Sequence, residues 1–307
     1  MDTEPDSNGI ITIDTHYVSR GIAAAYLIES QGKYALIETG TAPQIDQMLA
    51  QLERADVELS AIELIIPTHV HLDHAGAVGH WANLLPNAKV FCHPRGLKHL
   101  VDPSALEASA RSVYGKAFDT LYGTLRPVPT DQIGVLDDGE SLTLNGRPLV
   151  AHHMRGHADH HLCIWDEHSR SWFTGDAYGI SYAYLREGTW PFSLPATTPT
   201  QFDPELACSA IDALCAKDPQ WIYPTHFGGM PFDLRTAETL KSQLTAYAQL
   251  RAPEHAFKAI QAITLEHLLA AMGPDCAEQC LKALAADLEL NTQGVVYRMQ
   301  RIKQKST

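Results

Sequence analysis

Four side chains able to bind a metal ion fall within six residues of this chain: His69, His71, Asp73 and His74, in the run Thr68-His69-Val70-His71-Leu72-Asp73-His74. Such density does not suit one tetrahedral ion. A tight turn can aim His69 and His71 to one side and Asp73 and His74 to another, which serves two ions about 3.5–4 Å apart. The apolar stretch Glu63 to Pro67 before the run reads as a strand, and Ala75 to Leu85 after it has helical spacing ended by Pro86. The run therefore occupies a strand-to-helix loop, where α/β folds build their sites.

Partners for it follow in order. His157 comes just after the apolar stretch Leu149 to Met154, Asp176 after Trp172-Phe173-Thr174-Gly175, and His226 after Trp221-Ile222-Tyr223-Pro224-Thr225. Glycine beside these residues (Gly156, Gly175, Gly228 and Gly229) lets backbone approach closely. With 16 histidines in the chain, one at a strand end carries little weight. Three further donors at strand ends behind a dense run carry a great deal.

The first half alternates short strands with helices. Ala23 to Glu29 and Tyr34 to Glu38 read as paired strands about Ser30-Gln31-Gly32-Lys33, and Pro43 to Ala55 has helical spacing at Ile45, Met48, Leu49 and Leu52. Lys89 to Cys92 reads as a strand, with helical sequence from Pro94 and from Pro103 to about Phe118. Asn145-Gly146 between apolar runs marks a hairpin from Ser141 to Met154. Ser171 to Thr174 and Gln220 to Tyr223 are further strands. This pattern predicts an α/β layered sandwich. From Leu234 the spacing predicts three or four helices. The expected layout is a flexible N-terminus over 1–9, a metal-binding domain over 10–231 and a helical C-terminal extension over 232–307.

Composition narrows the partners. Over 307 residues the formal charge is −13, which repels polyphosphate backbones and excludes nucleic acid as the main partner. The N-terminal stretch is acidic and polar, without a signal-peptide pattern, and the apolar run Ile22 to Ile28 is too short to span a bilayer. No membrane association and a cytoplasmic location are expected. The six cysteines form no C-x-x-C pair and read as free thiols in a reducing compartment.

The ordered set H-x-H-x-D-H, His, Asp, His resembles the metallo-β-lactamase superfamily over roughly residues 10 to 230. The resemblance implies an αββα sandwich with the site at one edge of the sheets. It implies one metal on His69, His71 and His157, a second on Asp73, His74 and His226, and Asp176 bridging. Glu38-Thr39-Gly40 stands where the family carries Asp-x-Gly, so Glu38 takes the supporting acid's place. His93-Pro94-Arg95-Gly96, Val113-Tyr114-Gly115 and His157-Ala158-Asp159-His160-His161 resemble a bacterial, glyoxalase II-like branch with a helical C-terminal extension.

That likeness implies hydrolysis of a small ester, thioester or lactone by a hydroxide bridging two divalent metal ions. Zinc leads, with iron or manganese accepted by the same N/O donors. Asp73 is the catalytic candidate for orienting the attacking water or taking its proton. His160, His161 and Tyr178 are candidate acids for the leaving group, and Tyr178 or Tyr182 a candidate contact to a lactone ring. The alternatives are a di-iron oxidoreductase or oxygen-binding protein of the same fold, and a metal-bound sensor without catalysis. His71 stands where flavodiiron relatives usually carry Glu, which favours hydrolysis. The Pro-rich, aromatic segment Arg186 to Pro204, with Trp190 and Phe192, is a candidate roof over a small-molecule substrate. Basic residues of the tail (Lys241, Arg251, Lys258, Lys282, Arg298 and Arg301) are candidate anchors for an acidic leaving group. A homodimer is left open as the assembly.

Overall fold

The strand β2 (Ala24–Ser30) shows how the layers arise. Its residues alternate, Ala24, Tyr26 and Ile28 packing into one hydrophobic cluster and Ala25 and Leu27 into another. A strand buried on both faces lies inside a multilayer sandwich rather than at its surface. The computed structural model describes residues 4–305; residues 1–3, part of the stretch read as a flexible N-terminus, lie outside it. Residues 6–8 are tied to the body: Asp6 Oδ1 accepts from the backbone N–H of Asn8 (2.8 Å) and Ile10 (3.1 Å), and Tyr223 OH donates to Asp6 Oδ2 (2.6 Å).

Two six-stranded mixed sheets face each other. The first runs in spatial order β1 (Ile10–Asp14), β2, β3 (Lys33–Ile37), β4 (Ile62–Ile66), β5 (Lys89–Cys92) and β6 (Ile133–Val135). The second runs β12 (Met230–Pro231), β11 (Trp221–Pro224), β10 (Ser171–Gly175), β9 (Leu162–Asp166), β8 (Arg147–His153) and β7 (Ser141–Leu144). Helices α1 (Ile45–Arg54) and α3 (Val78–Leu84) cover the outer face of the first sheet through Met48, Leu52, Val78 and Trp81. Between these helices lies the short α2 (Leu72–Ala75). After β5 come α4 (Leu97–Val101), α5 (Ser104–Tyr114) and α6 (Phe118–Leu121); the helix expected to run unbroken to Phe118 is interrupted at Gly115.

The second sheet is covered by α7 (Pro204–Ala216) and by α8 (Leu234–Gln249), α9 (Ala256–Met272), α10 (Pro274–Ala283) and α11 (Ala285–Lys305). Asp203 caps α7 by accepting from the backbone N–H of Glu205 and Leu206, with Pro204 at the first helical position, where it needs no donor. The layers are therefore helix, sheet, sheet, helix, with helices continuing past residue 230. Leu240, Leu244, Ile260, Leu288 and Val295 share one cluster with Ile164 and Phe173 of the second sheet. The C-terminal helices thus complete the same core. At Gly294 a Cβ would lie 1.4 Å from the Thr197 carbonyl oxygen, so α11 sits on the 195–199 loop with room only for glycine. Among the described residues, no helix is long and apolar enough to cross a membrane.

Candidate metal centre

The strand ends at one edge of the two sheets converge. Past β4, the chain turns through Thr68, His69 and Val70, and His71 sits at the start of α2 with Asp73 and His74 in its only turn. Three histidine nitrogens meet there: His69 Nε2 lies 2.8 Å from His71 Nδ1, and His157 Nε2 lies 3.0 Å from the same atom. A second group forms alongside, with Asp73 Oδ2 3.5 Å from His74 Nε2 and 3.4 Å from His226 Nε2. Asp176 stands between the groups. Its Oδ2 lies 3.4 Å from His157 Nε2, and its Oδ1 3.4 Å from His74 Nε2 and 3.5 Å from His226 Nε2.

These spacings fit metal ions. Ligand atoms held at about 2.1 Å around a tetrahedral ion lie ~3.4 Å apart, the spacing of the second group. His74 Nε2 and Asp176 Oδ1 are buried with no hydrogen-bond partner among the described residues. Leaving buried polar atoms unpaired is costly, and a cation between them would satisfy both. Every residue read from the sequence as a ligand stands in one of these two groups or between them.

The backs of the rings are fastened. His157 Nδ1 meets the Ala196 carbonyl at 2.9 Å, His226 Nδ1 the Ile22 carbonyl at 2.7 Å, and His74 Nδ1 the Glu38 carboxylate at 3.0 Å. Each contact places a ring proton on Nδ1 and aims Nε2 toward the centre. Glu38 could also be counted with His69 and His74 as a third ligand group. Its oxygens are already engaged, however, by Thr68 N–H (3.1 Å), the Thr68 hydroxyl (2.5 Å), the Thr225 hydroxyl (2.9 Å) and His74. Glu38 therefore supports the ligands.

Charge separates the groups. Burial, then neighbouring imidazoles, holds His69 and His71 well below the ordinary histidine range. In the second group burial also opposes protonation, but Asp73, Asp176 and Glu38 outweigh it and raise His74 to about 10. Asp176 and Asp73 likewise raise His226 to about 9 against its burial. Asp73 is pushed up by burial yet held far below the usual carboxylate range by His74 and His226.

Close backbone approach builds this edge. Gly175, in a left-handed conformation, lies so near β4's exit that a Cβ would meet Thr68 Oγ1 at 2.4 Å and His161 Nε2 at 2.6 Å. His161 is buried and accepts from the Asp176 N–H at 3.2 Å, so it positions Asp176 from behind. The half-buried His160 ring packs 6.1 Å from His69 and 5.7 Å from His71. Tyr178 is fully buried in the core, and its hydroxyl has no hydrogen-bond partner among the described residues. Tyr182 stands beside the second group: its ring lies 6.5 Å from His226, and its hydroxyl donates to Asp287 Oδ1 of α11 at 3.1 Å.

The roof over the site is a correction. Phe192 is fully buried in the core, and Trp190 packs against the Arg235 guanidinium at 5.1 Å. The C-terminal helices hold this segment: Asn291 Oδ1 accepts from Thr197 N–H at 2.8 Å and its Nδ2 donates to the Pro195 carbonyl at 2.6 Å. The segment's contribution to the site is the Ala196 carbonyl that fastens His157. Of the tail's basic residues, Lys241 pairs with Asp212, Arg251 binds the carbonyls of Ala248 and Leu250, and Arg301 those of Thr200 and Phe202.

One residue of the site escaped the sequence reading. Arg186 donates to the carbonyls of Ser181 (2.9 Å), Gly228 (3.0 Å), Gly229 (3.0 Å) and Phe227, with no carboxylate partner among the described residues. It clamps the loop that follows His226. A lone arginine between Asp176 and His226 is the only signal its sequence offers.

A layered αββα sandwich carrying two adjoining N/O donor groups at its sheet edge defines a metal-binding protein of one fold class. The metallo-beta-lactamase superfamily model matches residues 18–226, and the chain belongs to that family. It is 25% identical over 228 residues, 73% of this chain and 79% of the relative, to a metallo-beta-lactamase fold-containing protein of Sulfurisphaera tokodaii. The crystal structure of an archaeal superfamily protein from Sulfolobus tokodaii aligns with TM-score 0.64 at 20% identity, covering 94% of this chain and 99% of the other. A subclass B3 metallo-beta-lactamase from a soil metagenome library aligns at 0.51 and 16% identity (95% and 97% covered). A chemotaxis sensor determined as a peroxy diiron species aligns at 0.54 and 15% identity (77% and 91% covered). At these identities, the likenesses establish the fold.

Proposed function

We propose that the chain is a hydrolase of small esters, thioesters or lactones. In this reading His69, His71 and His157 would hold one metal ion and Asp73, His74 and His226 a second, with the Asp176 carboxylate available to both groups. The observation that carries the reading is Asp176, which offers one oxygen to each donor group while Oδ1 has no other partner. Two such ions, when bound, supply Lewis-acid activation of water and of the scissile carbonyl near neutral pH. Zinc suits the donor set, as do iron and manganese.

The chain's own residues do the rest. His157, His226 and His74 are held in one tautomer and orientation from behind, so their lone pairs need no rearrangement. Asp73 is the most exposed of the charged donors, its side chain 21% accessible against 8% for Asp176 and His226. Its ionised carboxylate is placed to orient the attacking water by accepting a hydrogen bond from it. The water oxygen bonds to the carbonyl carbon, the C–O or C–S bond breaks, and the proton passes to the departing oxygen or sulfur.

Metal analysis should find about two ions per chain, and a single ion would sink the dinuclear reading. A panel of thioesters, lactones, β-lactams and phosphodiesters, with His71→Ala and Asp176→Ala as controls, tests the chemistry. Metal-loaded protein without turnover on any member would favour a non-catalytic sensor. A di-iron redox centre is the second reading; the all-N/O donor groups accept iron, and an iron-dependent absorption that responds to oxygen would establish it.

A further inference from the structure

Beside the three-histidine group lies a cavity of about 670 Å³, in the usual size range for small-molecule sites. Four separate segments build it, one of them the loop before β6 that brings Thr130. α4 and the turn before it bring Arg95, Lys98 and His99, the loop after His157 brings Asp159 and His160, and the approach to α7 brings Gln201. His160 is the shared wall: it lines the cavity while its ring packs against His69 and His71. A ligand in the cavity is thus one side chain away from the first donor group.

The electrostatics of this wall oppose those of the chain. The whole protein carries −13, yet the only carboxylate lining the cavity is already shared by two arginines. Asp159 accepts from Arg155 Nε at 2.8 Å and lies 3.4 Å from Arg95 Nη1. Lys98 makes no ion pair among the described residues, so the wall keeps an excess of positive charge. Gln201 Oε1 accepts from the Asp159 N–H at 2.7 Å, which pins two of the segments together. A positive recess on a negative surface concentrates anions at that one place.

We propose that this cavity holds the anionic end, a carboxylate or phosphate, of a substrate cleaved at the adjoining metal centre. The site then acts on acidic esters or thioesters, the charged group lying beyond His160 and the scissile bond at the centre. The proposal rests on the hydrolytic reading above, and its test separates the two.

Two thioesters of equal chain length, one ending in a carboxylate and one in a methyl group, are compared as substrates of Lys98→Met, Lys98→Glu and Lys98→Arg proteins. The wild type should prefer the carboxylate thioester through KM. That preference should fall by roughly tenfold in Lys98→Met, fall further in Lys98→Glu and survive in Lys98→Arg. In parallel, calorimetry follows binding of glutarate and of inorganic phosphate to the purified wild-type and Lys98→Met proteins. Weaker binding in Lys98→Met supports the cavity even if neither thioester is cleaved, in which case the hydrolytic reading alone fails. An unchanged preference together with unchanged anion binding overturns the proposal. Because Lys98 is exposed on a short helix, its replacement leaves the core intact.

Discussion

The two donor groups are built from the same short run yet differ in charge. His69, His71 and His157 form a set of imidazoles whose burial keeps His69 and His71 neutral. Asp73, His74 and His226 form a set in which carboxylates hold protons on both rings. Before any metal arrives, the first group is poised to accept a cation and the second must release protons to do so. Adjacent sites on one loop can thus have opposite pH behaviour, because carboxylates reach only one of them closely. The groups also differ in what fastens them: Glu38 holds His74 directly and reaches His69 only through the Thr68 hydroxyl, while His157 depends on the Ala196 carbonyl.

The largest effect should come from Asp176→Ala, which removes the one side chain common to both groups. Hydrolysis should fall by at least about a hundredfold, beyond the usual cost of losing a supporting contact. Kinetics and metal content together check this, and a variant that keeps two ions and full rate would remove Asp176 from the centre. Glu38→Gln should divide the groups: metal affinity at the second should drop roughly 10–100-fold and that at the first much less. Competition with a chelator, followed by metal analysis, reads both. Equal losses at the two groups would contradict the division.

Gly294→Ala tests the first group's support from a distance. Its methyl group must displace the Thr197 carbonyl, at a cost of about 1–3 kcal/mol. Denaturant unfolding should show the loss, and metal should leave the His157 group before the other. Metal retained in the reverse order would mean that the 195–199 loop does not position His157.

The smallest effect is one of pH. His74 and His226 have folded values above the ordinary 6.5, at about 10 and 9, so their contribution to the metal-free protein is complete below 6.5 and lost as pH rises through 9 to 10. His69 and His71 lie below 6.5, so protonation favours the unfolded chain and stability falls as pH drops below 6.5. Melting of the metal-free protein should therefore peak near pH 6.5 and fall on either side. Metal loading at pH 7 should release about two protons, from the second group. Calorimetry in two buffers of different ionisation heat measures that number, and release near zero would dissolve the contrast.

Much of this was legible beforehand because the candidate ligands come at strand ends with glycine beside them. Strands flanking the site, such as β5 and the β7–β8 hairpin about Asn145-Gly146, carried clear signals. β9 did not: all five of its residues are buried, so it shows no alternation to read. The function of Arg186 was equally hidden, since three of its four carbonyl acceptors, Phe227, Gly228 and Gly229, become neighbours only when the β11 exit loop folds back. Trp190 and Phe192 misled for a related reason. Aromatic residues in a long Pro-rich loop look available for a ligand until helices from the far end of the chain bury them.

The sequence by itself determined the donors and their order, because metal ligation demands particular side chains and strand ends place them at one edge of a sheet. Tertiary structure alone decided which ring nitrogens point inward, which residues carry protons and where the cationic cavity lies. Those properties depend on desolvation and on distances of a few ångströms between residues up to two hundred positions apart, such as His226 and Ile22. No local pattern encodes them.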